Sequence, residues 1–223
     1  MSERGTAAVI VPVKGENPKE RLSPILSPLQ RRQLKVAMLE DTLQTLIKAG
    51  MVGDTFVVSS DRQILDFVPR FGARSIAEPA DAGVSSAVSR ALAETSGFEL
   101  RLVVPGDLPL LSVEDLRTSL ALAGEGADLV IGPSESFDGT NLLLLGRGVE
   151  LPLHYDDDSF RKHFREAVSR GLKVAVYRAP GVAFDIDSPA DVQRFFAHRR
   201  TGSTLTLLGR TLKRAQSQRQ RGR

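Results

Sequence analysis

Three cations follow the first apolar run of the chain, in the stretch VIVPVKGENPKERLSP. Lys14, Lys19 and Arg21 lie around a glycine, just ahead of a stretch with the pattern of a long helix. Backbone amides near a glycine, cations and the positive end of a helix together suit a polyphosphate. The stretch contains neither GxxxxGK[ST] nor GxGxxG, so it is not one of the common phosphate-binding loops. We therefore predict a polyphosphate-binding loop of another kind. The alternative is a solvated basic loop whose cations pair with neighbouring glutamates.

Acidic residues follow two other apolar runs. Asp107 comes directly after RLVVPG, and Asp185 and Asp187 lie in FDIDSPADV. A carboxylate at the end of a buried strand can hold a hard cation such as Mg²⁺, which prefers a few carboxylates together with phosphate oxygens and water. We expect the side chains of Asp185 and Asp187 to point to opposite sides, and we assign Asp107 and Asp187 as metal ligands because Asp187 lies nearest the loop end. The alternative for Asp107 is an ordinary turn residue.

Two hydroxyl residues complete the candidate site. Thr140 follows Asp-Gly in FDGTN, and Ser159 is predicted to be the N-cap of the helix FRKHFREAVSR, whose first amides can bind an anion. The alternatives are a tight hairpin turn and an ordinary capped helix after the acidic loop HYDDD. The three histidines have no metal-ligand spacing, and the chain has no cysteine and no GxSxG motif. We therefore predict neither a zinc site nor a nucleophile triad.

The elements that must position these residues alternate along the chain. Strand-like runs occur at TAAVIVPV, DTFVVSS, ARSIAE, RLVVPG, ADLVIGPS, NLLLLG and LKVAVYR, with helix-length stretches between most of them. This alternation predicts an α/β fold with a mixed, mainly parallel sheet and helices on both faces. ADLVIGPS and NLLLLG are expected to pair antiparallel. Because ligands of such sheets bind at the carboxyl ends of the strands, we expect the polar clusters to line one edge.

The charge of the chain is unevenly distributed. Residues 199–223 carry seven arginines, one lysine and no acid, whereas residues 1–198 carry a net charge of −5. We divide the chain into a domain at 1–200 and a basic C-terminal tail at 201–223. Such a tail suggests a nucleic-acid-binding protein as the alternative from another class, but the chain has two tyrosines and no tryptophan for base stacking. Without cysteine or a long apolar run, we expect a cytoplasmic protein.

In order along the chain, these motifs resemble the 2-phospho-L-lactate guanylyltransferase family of coenzyme F420 biosynthesis. The resemblance rests on VPVK…KERLSPILSP…AMLEDTL, GDLPLL, DGTN, SFRKH and DIDSPADV, over about residues 7–195. It implies a GT-A-like nucleotidyltransferase fold, GTP as co-substrate and Mg²⁺ as cofactor. It also implies that the phosphate of 2-phospho-L-lactate attacks the α-phosphorus of GTP, releasing pyrophosphate and forming lactyl-2-diphospho-5′-guanosine. Phosphoenolpyruvate and 3-phospho-D-glycerate are the alternative acceptors, and a homodimer is a further expectation.

The resemblance also implies a role for each candidate residue. Residues on the GTP side are Lys14, Lys19, Arg21 and Gly106, of which Lys14 and Arg21, together with Asp107, are the expected catalytic residues. The expected metal ligands are Asp107 and Asp187. The acceptor side is expected to contain Thr140, Ser159 and Asp156. Two stretches depart from the family pattern: PKERL replaces the common AKSRL, and HYDDD has a carboxylate near a position where many relatives carry glycine.

Overall fold

The computed structural model describes residues 7–15, 19–78, 83–155, 157–198 and 201–221. Within these residues seven strands form one sheet: β1 Ala7–Pro12, β2 Thr55–Ser59, β3 Arg74–Ala77, β4 Leu100–Val103, β5 Leu129–Pro133, β6 Thr140–Leu145 and β7 Val174–Val176. The helices of the same ranges are α1 Pro28–Lys48, α2 Arg62–Phe67, α3 Val84–Glu94, α4 Val113–Gly124, α5 Ser159–Ser169, α6 Pro180–Ala183, α7 Pro189–Ala197 and α8 Ser203–Arg221. Short 3₁₀ turns lie at Glu20–Leu22, Val52–Asp54 and Val68–Phe71.

The order of strands across the sheet is β3-β2-β1-β4-β6-β5-β7. All neighbouring pairs are parallel except those of β6, which runs antiparallel to both β4 and β5. The beginning of β6 therefore lies at the sheet edge where the other strands end. This reversal brings Thr140 to the same edge as the loops that follow β1 and β4. The predicted mixed, mainly parallel α/β fold, including the antiparallel pairing of β5 with β6, is confirmed.

Both faces of the sheet are covered because successive strand residues point to opposite sides. In β1, Val9 and Val11 pack with α1, α2 and α4, whereas Ala8 and Ile10 pack with α3 and α5. All four of these side chains are fully buried. The near-continuous apolar run that results is typical of a parallel strand covered on both sides.

Side-chain caps that are recognisable in the sequence fix the starts of three helices. Ser27, Ser112 and Ser188 each accept a hydrogen bond from the backbone N–H of the third helical residue. The side chain of that residue in turn accepts from the backbone N–H of the serine, so α1, α4 and α7 begin with capping boxes. Proline at the first position of α1 and α7 adds a preset φ angle. These starts place α1 and α7 beside the loops that carry the candidate residues.

The C-terminal helix α8 lies against α1. Leu208 is fully buried in a third apolar cluster with Leu22 and Ile186, and Asp41 accepts hydrogen bonds from the backbone N–H groups of Ser203 and Thr204 at 2.7 and 3.0 Å. The first part of the predicted basic tail therefore packs on the preceding residues, and the division of the chain at residue 200 stays a prediction. Among the described residues, no helix is long and apolar enough to span a membrane.

Candidate active site

A cleft of about 1060 Å³ opens at the carboxyl edge of the sheet. It is bordered by the loops after β1 and β4, the turn before β6, the start of α5 and the segment between α6 and α7. Every described residue of the predicted site lines it: Lys14, Lys19, Arg21, Gly106, Asp107, Thr140, Ser159 and Asp187. A larger hollow of about 1890 Å³ lies between α1, α8 and the start of α2, and it contains none of these residues.

Lys19 stands at the centre of the charged part of the cleft. Its Nζ donates to Asp107 Oδ2 at 2.7 Å and to Asp187 Oδ1 at 2.6 Å, and its side chain is only 10% exposed. Burial opposes the charge of Lys19, but the two carboxylates outweigh it and raise the pKa of the ammonium. Burial also opposes the charge of Asp107. The attraction of Lys19 outweighs this effect and holds the pKa of the Asp107 carboxyl below its usual range. The three groups form one charged unit.

Asp185 lines the same cleft as this unit, contrary to expectation. The prediction that Asp185 and Asp187 point to opposite sides is wrong, because residues two apart in an extended segment share a face. Both line the cleft, whereas Ile186 between them is fully buried in the core. Burial and the charge of Asp187 raise the pKa of Asp185 to about 6. Three carboxylates, those of Asp107, Asp185 and Asp187, therefore line the same cleft.

The other predicted residues of the nucleotide side border the same space. Lys14 and Arg21 are exposed to it at the two ends of the loop after β1. A Cβ at Gly106 would lie 3.0 Å from a methyl group of Val13 and 3.2 Å from one of Leu39, so glycine lets this loop pack closely on the core. The loop after β4 can thus bring Asp107 to the cleft without displacing β1.

Two residues that sequence reasoning missed anchor the loop after β1. Lys35 of α1 donates to the carbonyl oxygens of Lys14 and Gly15 at 3.3 and 2.8 Å and to Asp61 Oδ2 at 2.6 Å. Burial opposes the ionisation of Asp61, but its bond with Lys35 outweighs this and lowers the pKa. Asp61 also caps α2 through the N–H of Gln63. In the sequence Lys35 has the pattern of an exposed helix lysine, so no local signal indicated that it bonds the loop after β1 and Asp61.

The hydroxyl side of the cleft is built differently from the prediction. Ser159 is not the N-cap of α5, because Asp158 takes that position with a left-handed backbone and Ser159 is the first helical residue. The Ser159 hydroxyl donates to Thr140 Oγ1 at 3.2 Å and lies 3.4 Å from the Asp138 carbonyl oxygen. His163, one turn further along α5, approaches Thr140 Oγ1 with Nδ1 at 3.0 Å. A serine and a histidine four residues apart on an amphipathic helix were the available signal for this cluster.

Backbone strain is concentrated around the cleft. Among the described residues, the non-glycine residues with positive φ are Lys19, Phe137 and Asp158. Lys19 and Asp158 line the cleft, and Phe137 belongs to the turn before β6, which Ser134, Ser136 and Asp138 cross-link with hydrogen bonds. Each such conformation costs on the order of 1–3 kcal/mol and is typical of functional sites.

The acidic loop before α5 is only partly described. Asp156, predicted on the acceptor side, lies outside the described residues. The neighbouring carboxylates are paired, Asp157 with Lys162 at 2.9 Å and Asp158 with Arg161 at 3.1 Å. Local cations of α5 therefore compensate two of the charges that would otherwise repel an anion.

The carboxylates fit a divalent cation by their arrangement. Asp107 and Asp187 converge on one positive charge, the Lys19 ammonium, and remain 37% and 45% exposed to the cleft. No group of three or more acidic, histidine or cysteine side chains close enough to hold a metal occurs in the described part of the chain. Two carboxylates that converge on one charge are nonetheless a common protein contribution to a Mg²⁺ site, in which water and phosphate oxygens complete the coordination.

Comparison with known proteins gives one family for almost the whole chain. The family described as "Guanylyl transferase CofC like" matches residues 7–221. The chain is 38% identical to the phosphoenolpyruvate guanylyltransferase of Rubrobacter xylanophilus, covering 84% of this chain and 92% of that protein. It is 36% identical to the 2-phospho-L-lactate guanylyltransferase of Methanocaldococcus vulcanius, covering 85% and 84%. Identity to the 3-phospho-D-glycerate guanylyltransferase of Phenylobacterium zucineum is 34%, covering 90% and 95%.

Solved structures agree on the fold. A protein from Desulfovibrio desulfuricans described as a nucleotide-diphospho-sugar transferase superposes with a TM-score of 0.76, covering 93% of this chain and 95% of that one. Its sequence identity to this chain is 17%. At that identity the likeness concerns the fold alone.

Proposed function

This chain belongs to the guanylyl transferase CofC-like family, and we propose that it transfers GMP from GTP to the phosphate of a three-carbon phospho-acid. An oxygen of the acceptor phosphate forms a bond to the α-phosphorus of GTP, and the bond from that phosphorus to the β-phosphate oxygen breaks. Pyrophosphate leaves with the bonding electrons. With 2-phospho-L-lactate as acceptor the product is lactyl-2-diphospho-5′-guanosine.

The charged side of the cleft suits the triphosphate. Lys14, Lys19 and Arg21 border one space, and Arg21 can hold a phosphate through two parallel hydrogen bonds. Lys35 draws the Lys14 and Gly15 carbonyl oxygens towards α1, which keeps these acceptors away from the phosphates. Negative charge that accumulates on the leaving pyrophosphate is stabilised by the same cations.

Mg²⁺ would be held by Asp107 and Asp187, with Asp185 as a third carboxylate on the same face. When bound, the ion supplies charge neutralisation at the phosphate oxygens. With the ion bound, the Lys19 ammonium, which bonds both carboxylates in this structure, would be available to a phosphate oxygen. The bond between Lys19 and the aspartates thus keeps the carboxylates in position before the substrates arrive.

The hydroxyl side of the cleft suits the acceptor. Thr140 and Ser159 are almost fully buried at its floor, next to the start of α5. Hydroxyl groups and helix amides donate hydrogen bonds to an anion without contributing a full charge. A small acid with phosphate and carboxylate groups matches this set of donors. No protein nucleophile is required, because the attacking phosphate oxygen is already negative.

The observation that carries the proposal is the meeting, in one cleft, of the Lys19–Asp107–Asp187 unit with the Thr140–Ser159 hydroxyl pair. Names of relatives differ in the acceptor, being phosphoenolpyruvate, 2-phospho-L-lactate or 3-phospho-D-glycerate. We propose 2-phospho-L-lactate as the preferred acceptor, as the motif resemblance implies, and thereby a place in coenzyme F420 biosynthesis.

The deciding experiment offers GTP and Mg²⁺ with each of the three acceptors in turn and measures pyrophosphate release. The proposal expects release that depends on both an acceptor and a divalent ion, with the largest kcat/KM for 2-phospho-L-lactate. ATP in place of GTP is the control for the nucleotide. Absence of release with all three acceptors contradicts the proposed substrate class, whereas a preference for another of the three corrects the acceptor only.

Cytoplasmic location and a homodimer are further parts of the proposal that rest on the sequence-based expectations. The alternative function in nucleic-acid binding relies on the basic tail alone. The acidic carboxylates that face the cleft do not favour a nucleic-acid backbone there. Light scattering of the purified protein measures the oligomeric state directly.

A further inference from the structure

His163 lies fully buried behind the hydroxyl pair, and both of its ring nitrogens have partners. Nδ1 lies 3.0 Å from Thr140 Oγ1, and Nε2 accepts the backbone N–H of His154 at 2.8 Å. A backbone N–H can only donate, so Nε2 must carry a lone pair rather than a proton. A neutral imidazole in this position therefore carries its proton on Nδ1, and Nδ1–H donates to Thr140.

The charged form of His163 does not fit the same contacts. A proton on Nε2 would face the N–H of His154, and two donors cannot share one hydrogen bond. Burial, together with the charge of His154, lowers the pKa of His163 to about 4. The ring is consequently neutral near pH 7, with a single tautomer fixed by its surroundings.

The fixed tautomer determines what Thr140 can do. A threonine hydroxyl accepts two hydrogen bonds and donates one. Thr140 Oγ1 accepts from the His163 Nδ1–H group. It also accepts from the Ser159 hydroxyl, whose one proton takes the shorter of its two contacts, 3.2 Å to Thr140 against 3.4 Å to the Asp138 carbonyl oxygen, so the proton of Thr140 itself is left to bond another group. Since Thr140 lines the cleft, this proton is available to a ligand there.

We infer that His163 is a positioning residue that holds the Thr140 hydroxyl as a hydrogen-bond donor towards an anionic oxygen of the acceptor. The inference rests on the proposed function, in which Thr140 faces the phospho-acid. It deepens that proposal, because a hydroxyl with both acceptor positions occupied favours carboxylate or phosphate oxygens over any ligand group that donates. His163 thus contributes to the selection of an anion through Thr140, without contacting the anion itself.

The direction of the hydrogen bond is measured without turnover. Long-range ¹H–¹⁵N correlation spectra of the imidazole rings distinguish the two tautomers and the charged ring, and the chain has only three histidines to assign. Loss of one set of signals in His163→Asn identifies the residue. We expect Nδ1 protonated and Nε2 unprotonated at pH 7 in the wild-type protein. A proton on Nε2 overturns the inference.

Two substitutions separate positioning from packing. The side-chain amide of asparagine can place an N–H near the position of Nδ1, whereas that of glutamine reaches towards Nε2 and leaves Thr140 without its donor. His163→Gln is expected to raise the KM of the acceptor about 10-fold with the KM of GTP unchanged, and His163→Asn to recover most of this loss. If the two variants change both KM values and Tm alike, His163 is only a packing residue and the inference is wrong.

Thr140→Val distinguishes a failure of the inference from a failure of the proposed function. If Thr140→Val raises the acceptor KM and His163→Gln does not, Thr140 contacts the acceptor without help from His163. If Thr140→Val leaves the acceptor KM unchanged and raises that of GTP, the assignment of the cleft's two sides is wrong, and the inferred role of His163 towards the acceptor falls with it. The NMR result stands in either case as a test of the hydrogen-bond direction.

Discussion

In the half of the cleft built by the loops after β1 and β4 and by the segment between α6 and α7, the polar side chains are charged and partly exposed. In the other half, the lining residues of β6 and α5 are neutral and buried, namely Thr140, Asn141 and Ser159. The carboxylates of Asp107 and Asp187 are held by a single cation, Lys19. Thr140 is held by Ser159 and His163 through neutral hydrogen bonds. In the function proposed above, the first half would exchange the Lys19 ammonium for a metal ion as the ligands bind. The second half is already oriented before they do.

This difference matches two physical tasks. Triphosphate and metal ion bring several charges, so their site needs opposite charges that can rearrange at low cost in a solvated cleft. A small acid brings fewer charges and must be aligned for attack, which oriented donors achieve without reorganisation. Substitutions in the charged half should therefore affect turnover, and substitutions in the neutral half should affect binding of one substrate.

The largest effect is expected from the carboxylates on Lys19. Asp107→Asn and Asp187→Asn should each lower kcat about 100-fold, because each removes a charged metal ligand while keeping the shape of the side chain. Turnover is measured at saturating GTP, acceptor and Mg²⁺. Asp66→Asn, which changes an exposed carboxylate on α2, is the matched control and should keep full activity. Near-normal kcat in either cleft variant would remove that residue from the metal site.

Asp185 should combine a loss of activity with a gain in stability. Asp185→Asn is expected to lower kcat between about 10- and 100-fold, as for residues that support metal ligands. Its pKa in the folded protein is raised to about 6, from an ordinary 3.8, so the folded state binds its proton more tightly than the unfolded state does. Stability from this group is therefore present below pH 4 and is lost as pH rises towards 6.

The stability part of this prediction is measured in EDTA, without substrates. Tm of Asp185→Asn should exceed that of the wild-type protein at pH 7.5 by about 4 °C or more and should equal it near pH 4. Asp187→Asn is the comparison, since Asp187 forms an ion pair that the substitution breaks. A lower Tm for Asp185→Asn at pH 7.5 would mean that its carboxylate is stabilised by its neighbours.

How far the sequence predicts this site follows from the range of each interaction. Strands and capped helices depend on local patterns, so the seven strands, the start of α1 and the common edge of the polar loops were predictable. The error at Asp185 and Asp187 came from misapplying the strand period, because side chains two residues apart in an extended segment share a face. The prediction of Ser159 as N-cap was wrong because the left-handed backbone of Asp158 shifts the helix start by one residue. The Ser159 hydroxyl then bonds Thr140 instead of a backbone N–H of the helix.

Contacts between distant segments could not be derived from local pattern. Lys35 and Asp61 have ordinary positions on helices, and only the packing of α1 beside the loop after β1 brings them together. His163 has no metal-ligand spacing in the sequence, and its bond to Thr140 depends on how α5 docks against β6. Such residues act through another residue, and their role becomes visible only in three dimensions.

The neutral half should respond with a smaller and selective change. Thr140→Ala and Ser159→Ala are each expected to raise the acceptor KM about 5- to 10-fold and to leave the KM of GTP and kcat nearly unchanged, because a contact made equally in the ground and transition states alters KM alone. Steady-state kinetics with each substrate varied in turn measure this. Ser89→Ala on α3 is the control for loss of a helical serine hydroxyl. A rise confined to the KM of GTP would reverse the proposed division of the cleft.

The smallest effect is expected from the basic C-terminal end of the chain. Removal of residues 214–223 should leave kcat and both KM values unchanged, because the described packing of α8 on α1 involves earlier residues such as Leu208. Removal of 201–223 is a harsher change. It takes away Leu208 and exposes Leu22 and Ile186, which are direct neighbours of Arg21 and of both Asp185 and Asp187, so it should lower Tm and activity together.

Leu208→Ala isolates the packing contribution, with an expected loss of about 2–5 kcal/mol of unfolding free energy. Denaturant unfolding and GTP turnover are measured on the full chain, the shorter truncation and Leu208→Ala. The alternative function is tested by measuring how the full chain and the shorter truncation bind a labelled nucleic acid at several salt concentrations. If the tail binds nucleic acid, loss of the arginines in 214–223 would reduce both the affinity and its salt dependence. Full GTP turnover after removal of 214–223 assigns the basic end no part in catalysis. A loss of turnover in this truncation, with Tm unchanged, would show that residues 214–223 contribute to the charged half of the cleft.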